Sequence, residues 1–308
     1  MIAADAVPVM LAPDHFDEYQ EAIIDGGGAI TRGADARVLV WSKHGAPEQL
    51  RELLTTLPAV EWVQLPSAGV DNFMRADAID QRRRFTSAKG AYAEPVAEHA
   101  LALTLGLLRM LHARARANSW GTAAAKSLFR SRVTIVGAGG VARALSLLLR
   151  PFDVTLTACR RESEPVAFAD RTIALDELVE VLPDSDVVII AAPLSPQTKG
   201  LMDTRMLALM RSDAVLVNVG RGEIVVTDDL VQALALGQIA GAALDVTEPE
   251  PLPDGHPLWS EPRALITPHS ADTEEMIVPL LAARITDNLR RFCSDDPLVG
   301  MVDPRVGY

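Results

Sequence analysis

A chain of 308 residues is too long for one ordinary hydrophobic core and suits two domains of about 100 to 200 residues each. Its 49% hydrophobic and 23% charged residues are those of a folded globular protein rather than a disordered one. The formal charge of -12 repels phosphate backbones and anionic lipid heads, and the one basic cluster, Arg82-Arg83-Arg84, has no interleaved aromatic residue, which argues against nucleic acid as a partner.

Cysteine use narrows the chemistry further. Only Cys159 and Cys293 are present, too few for a disulfide framework or a thiolate metal site, and a reducing cytoplasm is the expected compartment. There is no HExxH and no regular carboxylate ligand spacing, so no metal is expected. The start, Met1-Ile2-Ala3-Ala4-Asp5, has neither a basic cluster nor an apolar run, and the apolar stretch 100–108 is too short to span a bilayer. No membrane association is expected.

Taken in order, apolar runs at 7–11, 38–41 and 62–65 alternate with helical stretches at 16–24 and 47–57. Such alternation predicts a parallel sheet with covering helices. A strongly helix-forming segment follows at 94–111, rich in Ala and Leu and opened by Pro95, where a missing N–H is harmless. Within it His99 reads as a packed residue among apolar neighbours. Residues 118–130, carrying Trp120, fit no periodic pattern and read as a loop or arm.

A second alternation has six apolar runs, at 132–136, 154–158, 186–192, 214–219, 240–244 and 265–267, enough for a doubly wound sheet. After the sixth, Asp272 is placed to cap a last helix running through Arg291, with Glu274 and Glu275 in its first turn, where negative charge suits the helix dipole. That helix is expected to return to the first domain. The expected division is therefore residues 1–97 with 273–308 as one domain and 98–272 as the other.

Immediately after the strand-like run 133–136, and followed by a helical stretch at 143–149, stands Gly137-Ala138-Gly139-Gly140-Val141-Ala142. In this G-x-G-x-x-A turn, Gly137 permits the tight bend, Gly139 lets backbone approach a pyrophosphate, and the small Ala142 lets helix and strand pack closely. The N–H groups opening the helix, at Gly140 and Val141, face an anion. An acidic residue at the end of the next strand normally takes the ribose hydroxyls, but here the chain reads Cys159-Arg160-Arg161. Two guanidinium groups suit a 2'-phosphate, so NADP(H) is the preferred cofactor, with NAD(H) possible.

Three polar residues follow later strands, where open α/β sheets place their ligands. Arg221, in Asn218-Val219-Gly220-Arg221-Gly222-Glu223, is suited to bridge a substrate carboxylate and carbonyl. His269, after Thr267-Pro268, is the natural group to give a proton to a carbonyl oxygen as hydride reaches its carbon. Glu250, between Pro249 and Pro251, favours the imidazolium and fixes the ring if it lies beside His269.

With these motifs in place, the chain resembles the D-isomer-specific 2-hydroxyacid dehydrogenases over essentially its whole length. The resemblance rests on the Arg221, Glu250 and His269 motifs and on the Gly-rich turn. It implies a Rossmann cofactor domain, a flavodoxin-like substrate domain, a cleft between them and a hinge near 94–111. It implies Arg221, Glu250 and His269 as the catalytic set. A backbone nest at Ala68-Gly69-Val70, within Ser67 to Asp71, would hold the substrate carboxylate. By the same resemblance Asp245 would hold the nicotinamide amide, while Pro193, Thr198, Val219, Gly220, Ser270 and Ala271 would line the cofactor groove. A homodimer is implied, with the arm of Trp120 bordering the partner's site. The chain ends at Tyr308 soon after the returning helix, leaving no room for an added regulatory domain.

The implied reaction is reduction of a small 2-oxo acid, glyoxylate or hydroxypyruvate, to its D-2-hydroxy acid. Two rivals remain open at this stage. Formate or phosphite oxidation on the same scaffold is disfavoured by Glu250, because formate dehydrogenases carry Gln there. A nicotinamide-sensing corepressor or scaffold with the same fold would keep the three polar residues without turnover.

Overall fold

The computed structural model describes residues 6–305; the opening residues Met1 to Asp5 and the final Tyr308 lie outside them. The chain divides into two compact units, one made of the residues up to Tyr92 with those from Thr273 onward, the other of Ala93–Asp272.

The first unit contains β1 (Val7–Ala12), α1 (Asp17–Asp25), β2 (Gly28–Ile30), β3 (Val38–Trp41), α2 (Pro47–Thr56), β4 (Trp62–Gln64), α3 (Asp71–Arg75) and β5 (Arg84–Thr86). Its sheet runs β2-β1-β3-β4-β5 with every neighbouring pair parallel. This is the flavodoxin-like order. Leu39, Leu50, Val63, Leu65, Phe73 and Phe85 are buried together on one side. Two strands, β2 and β5, were not expected from the apolar runs. Each has three residues and is an edge strand, so neither carries the continuous apolar signature of a doubly covered central strand.

The second unit opens with α4 (Ala93–Leu108) and α5 (Leu111–Ala115), separated by Met110 in the left-handed region. It continues with β6 (Arg132–Val136), α6 (Gly140–Leu149), β7 (Thr155–Arg160), β8 (Arg171–Ala174), α7 (Leu178–Val181), β9 (Val187–Ile190), α8 (Thr204–Leu209), β10 (Val215–Asn218), α9 (Thr227–Ala235), β11 (Gly241–Leu244), α10 (Pro257–Ser260) and β12 (Ala264–Ile266). The all-parallel order β12-β11-β10-β9-β6-β7-β8 is the doubly wound Rossmann arrangement with one strand added beyond the six. In that order the strand beyond the 3-2-1-4-5-6 set is β12, whereas the strand that the six apolar runs do not foresee is β8, an edge strand of mixed exposure.

Both faces of this sheet are covered. α4 and α6 lie against one side, where Ala97, Leu103, Leu107, Ile135, Leu145 and Ile189 form a continuous core. On the other side Ile190, Leu207, Leu216, Leu230, Leu234 and Leu244 do the same. Residues 118–130 carry no regular element.

The last helix, α11 (Glu274–Cys293), belongs to the first unit. Thr286 donates through Oγ1 to the Ala22 carbonyl at 3.1 Å, and the side chain of Asn288 donates to Gln64 Oε1 at 3.1 Å and to the Val299 carbonyl at 2.9 Å. The capping expectation fails in detail: Thr273, not Asp272, occupies the N-cap position, and no side chain caps the helix. Asp272 sits one residue too early for that role.

Among the described residues no helix is long and apolar enough to cross a membrane. Also among them, no group of three or more His, Cys, Asp or Glu side chains is arranged to hold a metal ion.

Burial of Cys159 in β7, between the sheet and Leu178, pushes its thiol up to about 12, with Glu177 and Asp176 adding to the effect. Cys293 is exposed. At pH 8 iodoacetamide should therefore label the native protein once, at Cys293, and twice only after unfolding in guanidinium, as read by intact-mass spectrometry. Rapid double labelling of native protein would mean that the β7–β8 side of the sheet opens freely.

Candidate active site

The Gly-rich turn joins β6 to α6 as its spacing predicts. Gly137 has φ +124°, and a Cβ there would lie 2.5 Å from the Ala191 carbonyl oxygen, so both the conformation and the space require glycine. At Gly139 an added Cβ meets nothing within 4 Å. The backbone is bare at the point where a pyrophosphate must approach, and a side chain would fill that cradle. Ala142, in the first turn of α6, is fully buried against the core, which leaves the helix close to the sheet with its first N–H groups, at Gly140 and Val141, directed toward the cradle. The residues present thus fit a dinucleotide.

Arg160 ends β7, the strand next to β6. Its guanidinium donates to the Glu164 backbone carbonyl at 3.2 Å and lies 3.4 Å from the Glu164 carboxylate. Arg161 follows and is exposed. In the loop after β9, Thr198 is buried. It donates to the Pro193 carbonyl at 2.8 Å and accepts from the Ser195 N–H at 2.8 Å, which fixes the bend carrying exposed Pro193.

The turns after β10, β11 and β12 interlock. Buried Asn218 accepts from Gly220 N–H at 3.0 Å and donates to the Arg221 carbonyl at 3.0 Å, so one side chain shapes the Val219-Gly220-Arg221 turn. Its own carbonyl accepts from Asp245 N–H at 3.0 Å. Gly222 is pressed against the next turn: a Cβ there would overlap the Thr247 carbonyl. Arg221 is in extended backbone, half-buried, and donates through Nη1 to the Gly220 carbonyl at 2.7 Å.

Glu250 and His269 meet directly. His269 Nδ1 and Glu250 Oε1 are 2.7 Å apart; the side chains are 45% and 41% exposed. An ion pair so exposed adds little to stability. Its effect is orientation: with the carboxylate accepting from Nδ1, Nε2 is the ring atom left for exchange with a ligand.

Behind His269 lies a buried carboxylate. Asp245 is 2% exposed and accepts from Thr267 Oγ1 at 2.6 Å, Ser270 N–H at 2.9 Å and Ala271 N–H at 3.1 Å. His99 Nε2 is 3.3 Å from the same carboxylate and 2.9 Å from Thr267 Oγ1. Burial by itself raises the Asp245 carboxyl, but the hydrogen bonds from His99, Thr267 and Ser270 outweigh it and hold the group below the usual range. Asp245 therefore stays ionised, with its oxygens committed to the 267–271 turn.

Asp272, expected only as a helix cap, stands beside this cluster. Burial raises its carboxyl and Asp245 repels its charge, while His269 and Arg221 act in the opposite direction. The charges of both Arg221 and His269 thus act on this one carboxyl. Sequence reasoning missed Asp272, Thr267, Asn218 and the engagement of His99. Thr267 lies inside the motif that revealed His269, whereas His99 is 168 residues from Thr267 and its neighbours suggest only packing.

In the first unit, the Ser67 to Asp71 segment is folded tightly. Ser67 Oγ donates to the Gly69 carbonyl at 2.7 Å, and Ala88 N–H donates to the Ser67 carbonyl at 2.9 Å. Ala68 is exposed, whereas Val70 has its side chain in the core.

Residues 99–271 match the model of the D-isomer specific 2-hydroxyacid dehydrogenase NAD binding domain. The chain belongs to the D-isomer specific 2-hydroxyacid dehydrogenases. By that membership it is an NAD(P)-dependent oxidoreductase. It is 37% identical over 303 residues to an uncharacterized protein in the proB 3' region of Corynebacterium melassecola, covering 96% of this chain and 98% of that one. It is 34% identical over 213 residues to the glyoxylate reductase/hydroxypyruvate reductase of Mus musculus, a match covering 66% of this chain and 65% of the reductase. The family member from Xanthobacter autotrophicus Py2, solved in complex with NADPH and MES, superposes with a TM-score of 0.84 at 27% identity, covering 99% of this chain and 100% of that one.

The contact between Gly222 and the Thr247 peptide gives a direct check on the interlocked turns. Gly222→Ala must separate them, at a cost of about 1–3 kcal/mol and roughly 2–10 °C in Tm, with a larger fractional loss in activity than in cofactor affinity. Calorimetry showing unchanged Tm would mean the turns are not tightly apposed.

Proposed function

We propose that this family member reduces a small 2-oxo acid to the D-2-hydroxy acid with NADPH, and that glyoxylate or hydroxypyruvate is its substrate. The observation that carries the reading is the His269–Glu250 pair at 2.7 Å, in the same charged neighbourhood as Arg221. An imidazole oriented by a carboxylate beside a guanidinium is what reduction of a carbonyl flanked by a carboxylate requires.

A nicotinamide dinucleotide held on the Gly137, Gly139, Gly140 and Val141 turn, with Pro193, Thr198, Val219 and Gly220 along its groove, supplies the hydride that reaches the carbonyl carbon. Asp245 belongs to that groove in this reading, chiefly through the Ser270 and Ala271 backbone that it fixes. Arg221 binds the substrate carboxylate and polarises the carbonyl oxygen. His269 Nε2 gives that oxygen its proton, so no alkoxide accumulates. Glu250 keeps the ring aimed and stabilises the positive charge it carries before transfer. The Ala68-Gly69-Val70 backbone is assigned the substrate carboxylate as a second anchor.

Preference for NADPH is supported by Arg160 and Arg161 at the end of β7, where guanidinium groups stand in place of the acidic residue that takes ribose hydroxyls; a 2'-phosphate would compete with the Glu164 carboxylate, 3.4 Å from Arg160. The NADPH complex of the Xanthobacter relative is consistent with it. The substrate guess draws on the glyoxylate reductase/hydroxypyruvate reductase relative. The reading includes a homodimer formed through the arm. Trp120 is 95% exposed, and Arg114 donates to the Ser119 carbonyl at 2.6 Å and also to the Trp120 carbonyl, which ties down the backbone of the arm at that point.

Absorbance at the nicotinamide band, followed with NADPH or NADH and a panel of 2-oxo acids, tests the proposal. Turnover of glyoxylate or hydroxypyruvate, faster with NADPH, is expected. Tight cofactor binding with no turnover across the panel would favour a sensor and overturn the enzymatic reading. His269→Ala should lower kcat by about 10²- to 10⁴-fold while the NADPH Kd stays within a factor of about 2, as measured by fluorescence titration. Replacing Arg160 and Arg161 together by Ala should weaken NADPH by roughly tenfold or more and leave NADH nearly unchanged; equal losses for both cofactors would assign the two arginines to structure alone.

A further inference from the structure

We infer that His99 is a positioning residue for His269: from the opposite side of the Thr267–Asp245 pair, it fixes the backbone turn that aims the imidazole. The inference rests on the functional reading of His269 given above and assigns a role to a helix residue that lies outside the Arg221, Glu250 and His269 set.

The starting observation is conformational. His269 has φ +49°, a left-handed backbone that is strained for any non-glycine residue. Such a conformation persists only where the surroundings over-determine it. His269 N–H donates to the Asp245 carbonyl at 2.8 Å and approaches the Thr267 carbonyl at 3.0 Å. The two following N–H groups, of Ser270 and Ala271, donate to the two oxygens of the Asp245 carboxylate. One residue therefore grips the turn on both sides of His269 through its backbone and side chain together.

Asp245 has to be held in turn. Thr267 Oγ1 lies 2.6 Å from Asp245 Oδ1. A carboxylate has no proton to give, so the single hydroxyl proton of Thr267 points at Asp245. The remaining contact of Thr267 Oγ1, to His99 Nε2 at 2.9 Å, then has the hydroxyl oxygen as acceptor and requires a proton on Nε2. The same Nε2 is 3.3 Å from Asp245 Oδ1, so the ring closes a three-cornered arrangement of imidazole, hydroxyl and carboxylate. His99 stands on α4, a helix packed along its length against α6 and the sheet core. It thereby ties the strand-end turn to a helix anchored in the core of the second unit.

Because the three groups form one hydrogen-bonded unit, removing the His99 proton donor leaves Thr267 Oγ1 with an unfilled acceptor and Asp245 with less compensation for its burial. The consequence expected is a turn that samples other backbone conformations, with His269 misaimed while the cofactor cradle on α6 stays intact.

The test compares His99→Leu, which removes the donor, with His99→Gln, whose amide N–H reaches the place of Nε2–H. His99→Leu should lower kcat about tenfold, equivalent to about 1.4 kcal/mol, with KM for the 2-oxo acid and for NADPH within threefold of wild type; His99→Gln should recover most of the loss. A second readout does not depend on turnover. In ¹⁵N-histidine-labelled protein, the His269 Nδ1 and Nε2 shifts, set by the tautomer that Glu250 holds through the 2.7 Å contact, should move in His99→Leu and match wild type in His99→Gln. Equal kcat in all three proteins, or Gln no better than Leu, overturns the inference, as does an unchanged ring signal in His99→Leu. Should wild type prove inactive on every acid, the functional reading falls and the ring signal alone decides the role of His99.

Discussion

The buried carboxylate of Asp245 is the constraint from which the second unit's strand-end architecture follows. A charge this deeply enclosed is tolerated only when its hydrogen-bond sites are filled, and here the donors are the hydroxyl of Thr267, the ring of His99 and consecutive N–H groups of the 267–271 turn. Each donor comes from a segment that must fold back to reach it. The need to satisfy one anion therefore decides where β12 stops, how the chain bends after Pro268 and which way His269 leaves the bend.

The same logic extends sideways across the sheet. Asn218 shapes the turn after β10 and accepts from Asp245 N–H, while Gly222 closes against the Thr247 peptide. Adjacent parallel strands end in register, so three loops of different sequence emerge side by side and stabilise one another. Arg221, Glu250 and His269 are each carried by one of these loops. Their association is a property of strand order, which explains how residues distant in sequence serve one neighbourhood without any of them being deeply buried.

Much of this was legible beforehand for physical reasons. Central strands such as β9 and β10 are buried on both faces and read as unbroken apolar runs; β2, β5 and β8 are short edge strands and do not. The Gly137 turn was visible because only glycine tolerates that backbone, and the Arg160-Arg161 pair because charge at a strand end is conspicuous. What escaped was anything dependent on distant side chains meeting. His99 looks like packing beside its helical neighbours, and Asp272 looks like a cap because Asp often is one. Only the fold reveals that the first meets a carboxylate and that the second lies half-buried within the fields of an imidazole and a guanidinium.

The division of the chain carries a consequence for its biogenesis. The second unit is continuous, whereas the first is interrupted and completed by α11 and by residues 300–302, whose Met301 bridges Thr86 at the sheet edge. A ribosome releases β1 through β5 well before the helix that covers α1 and the residues that bridge the β5 edge. Until then a bare sheet margin able to pair with another nascent chain stays open. Translation speed and chaperone capture therefore bear more heavily on the amino-terminal half than its few connections to the chemistry would suggest.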